Sequence, residues 1–246
     1  MKKEMTRKKL RAIASSIAMV GALIFAGYAL AGPPPGYKGK PFQDQVNQSG
    51  PQVIPGTVQL ALFDLGGEGI AYHMLSDVNQ GAKLNHTSFM HKLPDATSVL
   101  YEHCRPGVPQ YICFFRESDG VSISYTKDFA DYSARDLAIP PKNQLYLGWE
   151  RFGEWTNYTV RVKRAGRYEV IALYGGASNT IKLDVDGRPA CECKLPVDTG
   201  SPHVWNKAII GTITFSKRGL HLLTLHYGEI NLKNNLAFLE FVPAQK

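Results

Sequence analysis

Four cysteines, seven histidines and a close pair of glutamates are the first places to look for chemistry in this 246-residue chain. A zinc site is not expected from Cys104, Cys113, Cys191 and Cys193, because no C-x-x-C spacing is present. His86 and His91 are near each other but have no carboxylate at metal-ligand spacing, so they read as surface or loop-packing histidines. Glu150 and Glu154 could serve a small glycan-active hydrolase only if their carboxyls converged across a scissile bond, and a spacing of four in strand or turn geometry does not define such a pair. The chain has no G-x-S-x-G elbow, no P-loop, no G-x-G-x-x-G after a strand and no H-E-x-x-H. The residues therefore favour a non-enzyme.

The elements that would position these groups begin after an export signal. The net charge is +7, but the first 31 residues hold six basic residues against Glu4, and without them the charge falls to +2. A basic start, an apolar run from Ala12 to Ala31 and a small-x-small ending read as a signal peptide cut after Ala31. The expected location is therefore secreted or periplasmic, with no membrane attachment after cleavage. A near-neutral mature chain gives no reason to expect a nucleic-acid partner. Export also makes disulfides the natural reading of the four cysteines. A bridge between Cys104 and Cys113 would close the turn-rich Arg-Pro-Gly-Val-Pro-Gln stretch, whereas Cys191 and Cys193 sit two apart in a strand, where bonding to each other would be strained.

Residues 32–52 are rich in Pro, Gly, Gln and Lys and read as an extended linker, with the folded part running over 53–246. Runs such as Asn157 to Lys163 and Arg167 to Tyr174 alternate with the period of half-buried strands, and Asp186-Gly187 is a hairpin signal. Strands arriving about every ten residues predict an all-β, antiparallel β-sandwich of jelly-roll type. The irregular span from about 81 to 111 is expected to be a long inserted loop.

Two segments then carry a resemblance. Ile54–His73 is similar to the opening strand and loop of carbohydrate-binding module family 6, and Gly148–Val160, followed by Ala165–Tyr168, resembles that family's central Gly-Glu-Trp strand and next hairpin. Phe115–Ile123 and Asn235–Phe241 resemble further family stretches in the same order. The resemblance, which extends to the galactose-binding-domain-like sandwiches of families 6, 35 and 36, implies a non-catalytic module that binds polysaccharide or oligosaccharide as a monomer. Its cleft would lie in loops at one edge, with a second site sometimes on the concave face. By position it implies Glu68 as a sugar-binding carboxylate, Phe115 as the stacking platform, Asn235 as the amide and Trp205 as the retained loop tryptophan, with His203 near a lost one and Tyr72 flanking the cleft. Trp149, Trp155 and Tyr158 read as fold-defining aromatics. The family's structural calcium is doubtful because the usual carboxylate positions are Gln59 and Ala61, leaving Glu240 and backbone carbonyls as donors. A protein-interaction sandwich with a degenerate sugar site is the remaining alternative. Mass spectrometry of the exported protein is expected to find its N-terminus at Gly32; a chain retaining Met1 would refute signal cleavage.

Overall fold

Period-two apolar patterning becomes structure when two sheets bury their apolar faces against each other. The computed structural model describes residues 32–86, 89–92, 98–101, 104, 107–126, 136–228 and 233–245. The signal segment and Thr87–Ser88 lie outside them, as do the side chains of 89–92 and hence His91. The strands are β1 (Gln52–Ile54), β2 (Gly56–Gln59), β3 (Tyr72–His73), β4 (Phe89–Lys92), β5 (Ser98–Tyr101), β6 (Ile123–Tyr125) and β7 (Leu145–Leu147). They continue as β8 (Trp155–Val162), β9 (Gly166–Gly176), β10 (Thr180–Val185), β11 (Arg188–Lys194), β12 (Trp205–Phe215), β13 (Gly219–His226) and β14 (Asn234–Pro243).

One sheet has the order β1-β8-β13-β10-β11, with β3 also on β8; the other runs β12-β9-β14-β7-β6, with β2 also on β14. Pairing is antiparallel except between β1 and β8. Tyr158 and Val160 of β8, Ile181 and Leu183 of β10 and Leu223 and Leu225 of β13 point inward from the first sheet. They meet Val170 and Tyr174 of β9, Phe215 of β12 and Leu239 and Phe241 of β14. Full burial of such side chains contributes about 1.5–3 kcal/mol each, so this interior is the main driving force for folding. The β10–β11 hairpin turns through Asp186 (φ 52°) and Gly187 (φ 74°), the left-handed pair that an Asp-Gly turn favours.

Two regions depart from expectation. Residues 32–52 are extended, yet they are docked rather than free: Lys40 bridges to Leu65, Tyr37 Oη donates to Asp64 Oδ2 at 2.8 Å, and Phe42 packs edge-on against Phe115. The 81–111 region holds more than a loop. It contains the β4–β5 hairpin, a short helix at Gln80–Asn85 capped by the Asn79 side chain, and the start of a second one at Gln110–Cys113.

Both cysteine pairs are bonded, Cys104 to Cys113 and Cys191 to Cys193. The second pairing corrects the expectation that neighbours two apart in a strand would avoid each other. Both side chains project from β11 toward β12, where Gly211 leaves room for the two sulfurs. A Cβ at position 211 would stand 2.7 Å from Cys191 Sγ and 3.1 Å from Cys193 Sγ. Gly211→Val is therefore expected to lower unfolding stability by about 1–3 kcal/mol through overpacking, measured by chemical denaturation. An unchanged midpoint would show that the sheet edges can part there without cost.

Candidate functional site

The chain crosses from the second sheet to the first through the loop 148–154 between β7 and β8, and the side chains available for recognition gather around this loop. Gly148 is obligatory at the start, since a Cβ there would lie 2.5 Å from Asn235 Oδ1. Trp149 then adopts a left-handed backbone (φ 63°), a conformation costing a bulky residue on the order of 1–3 kcal/mol. Packing of Trp149 against the buried group formed by Tyr146, Leu173, Trp205, Ala237 and Phe238 offsets that strain.

Glu154 closes the loop. Its Oε2 accepts the Arg151 N–H at 2.7 Å, its own N–H donates to Arg151 O at 3.2 Å, and its Oε1 accepts the Leu75 N–H at 2.8 Å. Its carbonyl accepts the Tyr227 N–H at 3.2 Å. Glu150 is 2% exposed and hydrogen-bonds the Glu154 carboxyl. Burial, reinforced by the neighbouring Glu154, holds the Glu150 carboxyl well above the usual carboxylate range. Two carboxyls in hydrogen-bond contact leave no room for a glycosidic bond between them, so this pair does not have the spacing of a retaining or inverting glycosidase.

The tight turn throws Phe152 outward, where it is 73% exposed. It overhangs a depression of about 580 Å³ lined also by Gly153, Glu154, Lys182, Asp184, Glu192 and His226. Strand register explains this grouping. His73 of β3, Trp155 of β8, His226 of β13, Lys182 of β10 and Glu192 of β11 are successive cross-strand partners, so they form one row on the solvent face of the first sheet. Asp184, two residues along β10, accepts from His226 Nε2 at 3.1 Å. Trp155 is half-buried, with the His73 ring 6.2 Å from its own. A second, smaller cleft of about 220 Å³ opens beside the same loop, lined by Trp149, Glu150, Arg151 and Glu154 together with Met74, Ser76, Gln80, Gly120 and Ser122.

The residues expected from the sequence fall elsewhere. Phe115 is 4% exposed and packed between Phe42 and Tyr111, and Trp205 is fully buried against Tyr146. Neither presents a ring face to solvent, because the docked lead-in covers the first and the second is enclosed by Tyr146, Leu173, Ala237 and Phe238. Asn235 is buried and donates to Pro202 O at 3.0 Å, pinning the 199–205 loop, while half-buried His203 lies edge-on to Tyr146. Tyr72 is buried edge-on against Phe63, its hydroxyl accepting the Gly120 N–H at 3.2 Å. Glu68 is half exposed, but its two oxygens are taken by His73 Nδ1 at 2.5 Å and the Met74 N–H at 3.0 Å, so it caps its own turn.

The positions the family resemblance assigns to calcium do not suit that ion. Ala61 offers no side-chain oxygen, Gln59 Oε1 accepts from Gln144 Nε2 at 2.7 Å, and Glu240 is paired with Lys207 Nζ at 2.7 Å. Phe152 was missed, although a phenylalanine between Arg151 and Gly153 in a turn, outside any alternating run, is a signal of exposure.

Solved structures similar to this chain include carbohydrate-binding modules and also longer enzyme chains, among them a family 43 arabinoxylan arabinofuranohydrolase from Bacillus subtilis. A family 6 module from Clostridium stercorarium, solved with cellobiose, is 11% identical, covers 80% of this chain and 99% of its own, and superposes with a TM-score of 0.39. A family 6 module of Cellvibrio mixtus lichenase 5A, solved with cellotriose, is 16% identical over 41% of this chain and 79% of that one, with a TM-score of 0.35. A family 35 module from Clostridium thermocellum is 18% identical over 44% and 84%, with a TM-score of 0.36. No protein-family model and no curated protein matches the chain.

The Glu150 environment has a measurable consequence. A carboxyl whose pKa is raised by folding contributes full stability below its unfolded pKa, near 4.5, and loses it as pH rises from there toward the folded pKa. The parent is therefore expected to lose stability relative to Glu150→Gln by about 1.4 kcal/mol per pH unit from near pH 4.5 upward. Parallel stability curves in urea between pH 4 and 8 would contradict the buried pairing.

Proposed function

We propose that this chain is an exported, non-catalytic carbohydrate-binding protein that takes a glycan on the solvent face of its first sheet, beneath Phe152. The single observation that carries the reading is a phenylalanine left 73% exposed by a tightly clamped turn, lining a largely apolar depression that Lys182, Asp184, Glu192 and His226 also border. A sugar ring presents a C–H face that packs on an aromatic plane, and hydroxyls that need fixed donors and acceptors. Phe152 supplies the plane. Lys182 supplies a donor, Glu192 an acceptor, and the Asp184–His226 pair supplies both in a preset orientation.

The depression is shallow and strand-built, which suits a polymer lying across the sheet better than a small molecule enclosed in a pocket. Trp155 and His73 continue the same row and would lengthen the track. Hydrolysis is not favoured, because Glu150 and Glu154 contact each other and Glu68 is committed to its own turn.

A glycan array is expected to give binding to one class of polysaccharide. Phe152→Ala should weaken it by about 1.5–3 kcal/mol, roughly ten- to hundredfold in Kd, with no change in melting temperature because the ring is exposed. Binding unaffected by Phe152→Ala and by Asp184→Ala would move the site off this face.

A further inference from the structure

The smaller cleft holds an incomplete polar group. Glu150 Oε1 is cut off from water and has no hydrogen-bond partner, an arrangement that destabilises the site unless a ligand completes it. The partner carboxyl, Glu154, already accepts two backbone N–H groups. Among the described residues no Lys, Arg or His forms an ion pair with either carboxyl. Arg151 lines the cleft through an exposed side chain, and the buried phenols of Tyr158 and Tyr227 lie within electrostatic reach of Glu150. The facing segments 74–80 and 120–122 contribute Met74, Ser76, Gln80, Gly120 and Ser122, all uncharged. The cleft thus gathers two acidic groups, two hydroxyls and an amide beside the half-buried indole of Trp149, with the exposed Arg151 side chain bordering it.

We propose that this cleft is a site for a primary ammonium group carried on a sugar, that is, the free amine of an amino-sugar residue. The proposal rests on the carbohydrate-binding reading above and names a class of glycan within it. An ammonium brings three N–H donors, no acceptor and a positive charge. It offers a donor to Glu150 Oε1, sets a positive charge beside the two carboxyls, and gains from the neighbouring aromatic ring. A hydroxyl in its place completes one hydrogen bond and leaves the charge unbalanced. A divalent cation such as calcium wants six or more hard oxygens, which an indole wall does not provide. At about 220 Å³ the cleft has the volume of about seven waters, at ~30 Å³ each, which is the scale of one sugar residue.

Isothermal titration of the full exported chain with oligomers of glucosamine, N-acetylglucosamine and glucose of equal length tests this. Near pH 6.5 the free-amine oligomer is expected to bind about tenfold more tightly than the other two, with release of a proton to the buffer. Glu150→Gln keeps a donor for Glu154 and should fold, as a melting curve will check; it should lose the amine preference and the proton release while keeping its affinity for the glucose oligomer. Equal affinities in the parent, or a preference retained in Glu150→Gln, overturn the amine site and leave the Phe152 face standing. Binding of none of the three overturns the amine site, while the carbohydrate reading falls only if the glycan array is also blank.

Discussion

The hydrogen bonds to the Glu154 carboxyl are the interaction on which the 148–154 loop and the surfaces around it depend. Glu154 ties together the end of the β7–β8 crossing, the strand that follows it, the segment after β3 and the chain leaving β13, using both of its carboxyl oxygens and its own backbone. Hydrogen bonds to a charged acceptor contribute about 1.5–3 kcal/mol each, enough to hold a four-residue turn against the strain at Trp149. With the turn closed in this way Phe152 has no interior to enter, and its exposure follows from the geometry of its neighbours. The same carboxylate borders both clefts, so one clamp sets the floor of one and the rim of the other.

A second constraint acts close by, next to the segments that line the smaller cleft. The Arg116 guanidinium is nearly buried, lying 3.3 Å from the Phe63 ring centroid, bonded to the Phe63 and Asp64 carbonyls and paired with Asp119. Asp64 in turn accepts from the Thr159 backbone and hydroxyl and from Tyr37. Burial pushes the Asp64 carboxyl up, while these hydrogen bonds and Arg116 pull against that shift. The polar network seats the lead-in on the sandwich and brings Phe42 down over Phe115. Phe115, which the family resemblance would leave open, is therefore covered by the protein's own chain, whereas Phe152 stands exposed.

How much of this was legible in the sequence depended on length and period. From β8 onward the strands are six to eleven residues long and alternate strongly, so their positions could be read within a few residues, as could the Asp186-Gly187 turn. Strands β1, β3 and β7 have only two or three residues, too few to show any period, and the Gln80–Asn85 helix is too short for an apolar stripe. The candidate site was read less well because exposure of a loop aromatic is a tertiary property. Nothing local in Cys-Phe-Phe foretells that Phe42 will cover Phe115, and nothing local in the 199–205 loop foretells the burial of Trp205. Even the Glu150–Glu154 pair, noticed for its spacing, acquired meaning only once a tight turn brought the two carboxyls into contact.

The central claim is that a glycan lies on the sheet face beneath Phe152. The most direct measurement is a two-dimensional amide NMR titration of the exported chain with the best-binding neutral oligosaccharide. The account predicts shift changes centred on Gly153, Lys182, Asp184, Glu192 and His226, spreading toward Trp155 and His73. Changes centred on the 199–205 loop and Asn235, with the sheet face silent, would contradict it.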